Sequence, residues 1–378
     1  MAKKGLYIAF EFEYKSNLFL KNNRSIDGIE KKIYFQFETF KKYGYEMMFY
    51  NPYVNRKHSI ERIFRRLPYH YLYKWNFNYE NLKDYSFIYI RKMWFMDGDL
   101  ILFLKKVKSL YPSIKILLEI PTYPYDKEGK KIDMIPLKIK DKKWRKQLKY
   151  YVDRIITYSD HDSIFEIKTI KTSNAICMDS YRKRKINVDN RCINMIACGN
   201  LYYWHGFDRA IKGIANYYAK TPNIDLKLYI VGEGAELPVY KELLDKYQLH
   251  DHVVLTGSKY GDELESIYDL CNVGIDSMGR HRSGVYYNSS LKGKEYCAKG
   301  LIVISGVKTE LDFYKNYPYY YRVPADDSAI DFTKFVDYYT KLLKNDNINN
   351  IQNTIQTFAR EHFDFKIAML PIIKFIEE

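Results

Sequence analysis

The sequence predicts an α/β protein made of two domains, each built around a parallel sheet. Short apolar runs alternate with helical segments along most of the chain, as is typical of parallel strands joined by crossover helices. A chain of 378 residues is too long for one ordinary hydrophobic core and fits two domains of typical size. With 47% hydrophobic and 28% charged residues, the composition indicates a folded chain and excludes a disordered one.

The first half of the chain opens with this alternation of strands and helices. A helix is predicted over 28–43 because Ile29, Ile33 and Phe37 recur at helical spacing before Gly44. The other elements predicted in this half are a helix over 100–111 and strands over 5–10, 45–50, 86–90, 114–119 and 154–158.

A second series of elements follows a basic segment at 181–190. It predicts strands over 192–197, 226–231, 253–255, 272–276 and 301–305, and helices over 209–220, 237–247 and 262–270. We therefore expect an N-terminal domain at 1–180, joined by a C-terminal helix at 353–378, and a C-terminal domain at 190–352.

Charge and cysteine usage narrow the class of protein. A formal net charge of +15 indicates an anionic partner, which could be a nucleotide, a nucleic acid or an acidic lipid. The five cysteines are odd in number and form no CxxC pair, so neither a disulfide framework nor a zinc site is expected. Glu11 and Glu13 interrupt the apolar N-terminal run, and no long uncharged apolar stretch follows. We expect a cytoplasmic protein, peripheral at the inner face of the cell membrane.

The segment Ser283–Gly300 is the most informative part of the second series. It lies between two predicted strands, and Gly300 is well placed to end the short helix within it. Lys292 and Lys294 precede the carboxylate of Glu295. In open α/β sheets such loops lie at the carboxyl ends of the strands and bind ligands, and cations beside a helix N-terminus favour phosphates.

Four blocks of the second half resemble the C-terminal domain of glycosyltransferase family 4 in order, spacing and residue type. They are Leu226–Gly234, His252–Gly257, Glu263–Val273 and Lys294–Val303. In the first half, Asp27–Lys32 resembles that family's glycine loop and first helix, and Glu119–Asp126 resembles a motif of bacterial capsule and exopolysaccharide transferases.

This resemblance implies a GT-B fold, with two Rossmann-like domains facing across a cleft. It further implies a metal-independent enzyme that transfers a sugar, with retention of configuration, from a nucleotide-sugar donor such as a UDP-sugar. The acceptor would be a lipid-linked or growing polysaccharide in capsule or exopolysaccharide assembly. The donor would bind the C-terminal domain and the acceptor the N-terminal domain.

The same resemblance assigns residues to the donor site. Glu295 would bind the ribose hydroxyls, because a carboxylate can accept both protons, and Lys292 would stabilise the leaving diphosphate, with Lys294 as second choice. Asn200 and His205 stand where the family usually has arginine and lysine, and Tyr287 stands where it has a second glutamate. The other donor-site candidates are Gly232, Gly234, Gly257, Tyr260, Gly284, Ser290 and Leu291.

The catalytic candidates are Glu119 in the first domain and His205 and Lys292 in the second. Candidates for the acceptor site lie in the first domain. The acceptor-binding candidates are Gly28, Glu119, Tyr123, Tyr125 and Asp126. Tyrosine rings can stack on sugar faces while a carboxylate orients a hydroxyl, although Pro121 and Pro124 could equally mark a structural turn.

Two acidic motifs imitate metal sites. Asp97-Gly-Asp99 has the DxD form but precedes a helix, so an N-cap explains it better, and Asp160-His-Asp162 is likewise expected to begin a helix. Neither predicts a metal, and we expect no metal cofactor.

Two other classes of function are alternatives to sugar transfer. The segment 56–75 interleaves basic and aromatic residues, which suits an anionic membrane surface or an ordinary solvated face, while the absence of nucleic-acid-binding motifs makes that partner unlikely. A non-catalytic protein that binds nucleic acid or membrane through such a face remains the alternative. A dinucleotide-dependent oxidoreductase is disfavoured, because the first predicted strand is not followed by GxGxxG.

Overall fold

A computed structural model describes residues 3–10, 28–52, 77, 81–93, 95–126, 134–185, 191–220 and 222–378. These residues form two compact units. The first contains the described residues up to Ser173 together with Ala368–Glu378, and the second contains Asn174–Ile367. Each unit has a mainly parallel sheet and a hydrophobic core of its own.

The first unit contains a seven-stranded sheet of order β2-β1-β3-β4-β5-β7-β6. Its strands are β1 Lys4–Ile8, β2 Glu46–Tyr50, β3 Tyr85–Arg91, β4 Lys115–Ile120, β5 Arg154–Thr157, β6 Ser163–Ile164 and β7 Ile167–Lys171. Its helices include α1 Gly28–Lys42, α2 Gly98–Leu110 and α3 Ile135–Arg145. The five predicted strands and two predicted helices are confirmed, whereas α3 and the β6–β7 pair were not predicted.

The pair β6–β7 corrects the expectation for Asp160-His-Asp162. These residues precede a hairpin instead of a helix, because β6 and β7 pair antiparallel. Phe165 and Glu166 form the turn between them with φ of 51° and 65°. Two successive positive φ values suit a tight hairpin and are incompatible with a continuing helix.

The second unit contains a six-stranded parallel sheet of order β10-β9-β8-β11-β12-β13. Its strands are β8 Cys192–Cys198, β9 Asp225–Val231, β10 Val253–Gly257, β11 Val273–Ile275, β12 Ile302–Ser305 and β13 Tyr320–Arg322. Its helices are α4 Phe207–Tyr218, α5 Leu237–Tyr247, α6 Gly261–Leu270, α7 Leu291–Ala298, α8 Phe332–Asn345 and α9 Ile348–Phe363. Numbered from β8, this is the doubly wound order 3-2-1-4-5-6, in which the direction of winding reverses between β8 and β11.

The chain enters the second unit earlier than the sequence indicated. Asn174 N donates to Ser289 Oγ over 2.7 Å, and Ile176 N donates to Phe363 O over 3.0 Å, so residues after Ser173 already belong to that unit. The helix α9 also belongs there, and Gln356 Nε2 donates to Ala298 O at the end of α7 over 2.9 Å.

The last described residues belong to the first unit. Short helices α10 Phe365–Ala368 and α11 Leu370–Glu377 follow α9. Lys115 Nζ donates to Phe375 O over 2.8 Å, which attaches α11 beside β4. The expected return of the C-terminal segment is therefore shorter than 353–378. No helix among the described residues is long and apolar enough to cross a membrane.

Candidate functional site

The loops after β8 and β11 meet where the strand order of the second sheet reverses. In open α/β sheets the crevice outside such a point is the usual ligand site. Met278 N donates to His205 O over 2.7 Å, and the Arg209 guanidinium donates to Met278 O. A Cβ at Gly206 would lie 2.5 Å from Gly279 N, so the two loops can approach this closely only with glycine there.

Three basic side chains gather beside this crevice. A Cβ built on Gly199 would lie 3.6 Å from Lys292 Cδ and 3.8 Å from His205 Cε1. Lys292 Nζ donates to Ser277 Oγ over 3.1 Å from the first turn of α7. Arg280, in the short turn Arg280–Ser283 after β11, is close enough to act electrostatically on both other groups.

The surroundings lower the pKa values of Lys292 and His205. Burial lowers the pKa of Lys292, Asp276 opposes that shift, and Arg280 adds to it. Burial also lowers the pKa of His205 well below its usual value, and the cations Lys292 and Arg280 lower it further. His205 is therefore a neutral imidazole at pH 7, and its buried Nδ1 has no hydrogen-bond partner among the described residues.

Glu295 lies one turn after Lys292 on the same face of α7, because residues three apart in a helix are neighbours. Its side chain is half-buried, and Oε1 accepts a hydrogen bond of 3.2 Å from Tyr181 Oη. Burial and then the nearby Glu295 carboxylate raise the pKa of Tyr181, so its hydroxyl stays protonated and holds the carboxylate.

Lys294 does not join this group. It is only 3% exposed, and its Nζ lies 2.9 Å from Glu310 Oε2 and 2.9 Å from Ser289 Oγ. Two lysines that lie two residues apart in the sequence therefore have different roles. Lys292 lies at the crevice, and Lys294 forms a buried ion pair.

Most of the other donor-site candidates shape the loops around the crevice. Gly232 and Gly234 have φ of 141° and 154°, and a Cβ on either would collide with the backbone of the β8 loop. Gly257 ends β10 with φ of 69°, and Gly284 ends the Arg280–Ser283 turn with φ of 73°. These glycines position backbone by allowing conformations that other residues rarely adopt.

The remaining candidates differ in environment. Ser290 precedes α7 and donates to Asp276 Oδ1 over 2.6 Å, while Leu291 is half-buried against the core. Tyr287 is half-buried with its ring 6.0 Å from that of Phe313. Two further candidates, Asn200 and Tyr260, are exposed.

Glu119 in the first unit is not open to an acceptor. It is 0% exposed at the end of β4, and its oxygens accept from Lys32, Gln36, Tyr89 and Arg91 over 3.0, 2.8, 2.5 and 2.6 Å. Burial alone would raise the pKa of Glu119, but the cations Lys32 and Arg91 outweigh it and lower that pKa to about 2. The expectation that Glu119 binds an acceptor or acts in catalysis does not match this buried position.

The residues after Glu119 form a second polar cluster. Tyr125 Oη donates to Asp141 Oδ2 over 2.9 Å, and Arg145 donates to both oxygens of Asp126 over 2.8 and 3.2 Å. Tyr123 is half-buried, with its ring 4.8 Å from His161. Among the residues that the structure describes, Tyr123 makes no side-chain hydrogen bond, and its ring also lies 6.5 and 5.8 Å from the rings of Tyr125 and Phe165.

The other predicted features fall as follows. Gly28 begins α1, and Asp97 caps α2 by accepting from Leu100 N over 3.1 Å, which confirms the N-cap interpretation. The segment 56–75 and Asp27 lie outside the described residues. Among the residues that the structure describes, no three His, Cys, Asp or Glu side chains are grouped to hold a metal ion.

Residues 181–277 match the family model described as glycosyl transferases group 1. No curated protein matches the chain.

Solved structures match over nearly the whole chain at low identity. A glycosyltransferase from Rickettsia africae has a TM-score of 0.62 at 12% identity, covering 100% of this chain and 98% of its own. Sucrose-phosphate synthase from Thermosynechococcus elongatus has a TM-score of 0.62 at 14% identity, covering 99% and 98%. The Anabaena protein HepE in complex with UDP has a TM-score of 0.58 at 10% identity, covering 99% of both chains.

These matches confirm the predicted GT-B fold, and at identities of 10–14% they establish the architecture alone. The match over 181–277 includes Tyr181 and His205, whereas Arg280, Lys292 and Glu295 lie beyond it. The chain therefore combines a GT-B fold with a glycosyl transferases group 1 segment, and this agrees with the enzyme class that the sequence predicted, a glycosyltransferase.

Proposed function

We propose that the protein transfers a sugar from a UDP-sugar to a saccharide acceptor, with the donor bound by the second unit. The observation that carries this proposal is the grouping of Lys292, His205 and Arg280 at one crevice, with the Glu295 carboxylate one helical turn after Lys292. A nucleotide sugar carries a diphosphate and a ribose diol close together, so its site needs cations beside a hydrogen-bond acceptor.

The cations would act on the leaving group. When the glycosidic bond to the diphosphate breaks, negative charge grows on the phosphate oxygens, and fixed cations stabilise it most in a water-poor site. Lys292 and Arg280 supply that charge. The neutral imidazole of His205 can donate one N–H to a phosphate oxygen without adding a third charge to a crowded site.

Glu295 would hold the nucleoside. An ionised carboxylate has two acceptor oxygens, so it can receive the protons of both vicinal ribose hydroxyls. Tyr181 restricts the carboxylate by donating to Oε1 over 3.2 Å. The distance along α7 from Lys292 to Glu295 is about one turn, roughly 5 Å, which suits a ligand with neighbouring phosphate and ribose groups.

The acceptor and the stereochemistry are proposed by resemblance. We infer a lipid-linked or growing polysaccharide in capsule or exopolysaccharide assembly, transfer with retention, and no requirement for a metal ion. A leaving phosphate oxygen that takes the proton of the acceptor hydroxyl would need no carboxylate base, which fits the buried position of Glu119. Turnover in excess chelator tests the metal, since activity that returns only with magnesium or manganese would contradict this part.

Release of UDP from a panel of UDP-sugars, with and without saccharide acceptors, tests the function. The proposal predicts that at least one UDP-sugar is consumed and that its sugar appears on the acceptor in an amount equal to the UDP formed. A protein that binds and consumes none of the UDP-sugars would contradict it.

A further inference from the structure

Helix α3 (Ile135–Arg145) of the first unit reverses the usual distribution of polar and apolar side chains. Its inner side carries Lys140 and Asp141, each 2% exposed, whereas Ile135 and Ile139 are 52% and 51% exposed. A surface helix normally turns its apolar residues towards the core. The two isoleucines, about half exposed, therefore add little to the core.

Contacts on the inner side hold the helix in this orientation. Asp141 Oδ1 accepts from Met96 N over 2.8 Å, and Oδ2 accepts from Tyr125 Oη and Arg145 over 2.9 and 3.1 Å. Trp144, at 8% exposure, packs into the core of the first unit. Rotation of the helix to bury Ile135 and Ile139 would break these hydrogen bonds.

The exposed side continues from the isoleucines into a row of cations. Ile135, Ile139, Lys142 and Lys146 are spaced by four, three and four residues, which places them on one helical face. Lys142 and Lys146 are exposed, and Tyr150, at 68% exposure, follows in the next turn. We call these five residues the α3 outer face.

The charge on the α3 outer face is uniform. Between Met134 and Tyr150 the single acidic residue is Asp141, which is buried. Helix α5 (Leu237–Tyr247) of the second unit shows the contrast, because Glu242 and Asp245 there are exposed among its lysines. Two acids of other segments, Asp126 and Glu166, pair with Arg145 and Lys149, which are not part of this face. A face with apolar side chains at one end and cations at the other complements an anionic lipid surface.

We propose that the α3 outer face docks the protein on an anionic phospholipid bilayer. Ile135 and Ile139 enter the boundary between headgroups and acyl chains, and Lys142 and Lys146 lie at the lipid phosphates, as amphipathic interfacial segments do. This surface is independent of the proposed sugar transfer, and its residues are distinct from the segment 56–75.

Co-sedimentation of the full chain with vesicles tests this proposal. The vesicles contain phosphatidylcholine alone or mixed with phosphatidylglycerol, and two double variants are compared with the parent: Ile135→Ser with Ile139→Ser, and Lys142→Gln with Lys146→Gln. The control is Lys241→Gln with Lys246→Gln and Val239→Ser, which removes two lysines and one exposed aliphatic side chain from α5, where Val239 is 41% exposed.

The parent and the α5 control should bind the anionic vesicles equally and should bind phosphatidylcholine alone far less. Each α3 variant should reduce the partition coefficient at least about tenfold, because each surface lysine and each inserted apolar side chain contributes a severalfold factor. All variants should melt within about 2 °C of the parent, since the altered side chains are exposed.

Three outcomes would overturn the proposal. They are a parent that does not sediment with anionic vesicles, α3 variants that bind as well as the parent, and an α5 control that loses binding equally. Loss of binding in the lysine variant alone would overturn the insertion of Ile135 and Ile139. A preference of the parent for an acidic protein or nucleic acid, with no affinity for vesicles, would assign the face to that partner instead.

Discussion

Lys292 and His205 converge on Gly199: the lysine Cδ and the imidazole Cε1 lie 3.6 and 3.8 Å from the position that a Cβ at Gly199 would occupy. The two side chains come from α7 and from the loop after β8, so the fold of the second unit creates this pair. Gly199 has φ of 142°, and it leaves the space between them open.

Lys292→Gln should lower turnover more than it weakens donor binding. Negative charge on the diphosphate grows as it leaves. Removal of the Lys292 cation therefore destabilises the transition state more than the bound donor. By analogy with the loss of one oxyanion donor, kcat should fall about 100- to 1000-fold, while KM for the UDP-sugar changes much less. Steady-state kinetics measure both values, and the exposed Lys308→Gln is the control.

Lys294→Met should instead lower stability. Its removal leaves the largely buried Glu310 carboxylate without its cation, and breaking a buried ion pair costs about 3–5 kcal/mol of unfolding free energy. Urea denaturation measures this loss. Equal stability of the variant and the parent would mean that the Lys294–Glu310 pair contributes nothing.

His205 should make the stability of the second unit depend on pH. Its folded pKa lies below the unfolded value near 6.5, so the unfolded chain binds more protons between those two values. The free energy of unfolding should therefore fall as pH falls below about 6.5, by at most about 1.4 kcal/mol per pH unit. His205→Gln should remove this part of the slope, whereas the exposed His250→Gln should retain it.

Glu119→Gln should destabilise the first unit and spare the second. The substitution leaves Lys32 and Arg91 without their shared carboxylate, at a cost of about 3–5 kcal/mol. In the parent, the low pKa of Glu119 stabilises the fold above the unfolded pKa, and that stabilisation is lost as pH falls towards about 2. UDP affinity should stay within about 0.5 kcal/mol of the parent value, because Glu119 makes its contacts within the first unit and shares no partner with the proposed donor site. A stable variant with weaker UDP binding would contradict this account.

Tyr123→Ala should lower the rate of transfer to the acceptor without weakening UDP binding. The Tyr123 ring is half-buried beside His161, and a tyrosine ring there can stack on a sugar face. Transfer to the saccharide should fall at least about tenfold, while UDP affinity stays within about 0.5 kcal/mol. Tyr123→Phe keeps the ring and should keep most of the activity. Full activity of the alanine variant would reduce this residue to a structural role.

The succession of most strands and helices along the chain, and the loop beside the crevice, could be predicted from the sequence, because alternation and spacing are local signals. The different environments of Lys292 and Lys294 could not be predicted, because their partners Ser277 and Glu310 come from other elements. Arg280 was missed for a related reason: it lies in a short turn outside the recognisable blocks, although the basic run Arg280-His-Arg282 after a strand was a usable signal.

In the first unit, too, the sequence did not reveal contacts between residues far apart in the chain. The motif around Glu119 looked like an acceptor site, yet the burial of Glu119 depends on Lys32 from α1 and Arg91 from β3. Those partners are 87 and 28 residues away in the chain, and only the folded sheet and helix bring them together.

Titration calorimetry of UDP with Glu295→Ala tests the central claim most directly. The account predicts that the parent binds UDP and that the variant binds it about 1.5–3 kcal/mol more weakly, the cost of losing hydrogen bonds to a charged group. The exposed Glu242→Ala on α5 should bind as the parent does. Equal UDP affinity in the parent and in Glu295→Ala, or no binding by the parent, would contradict the assignment of this crevice to a nucleotide sugar.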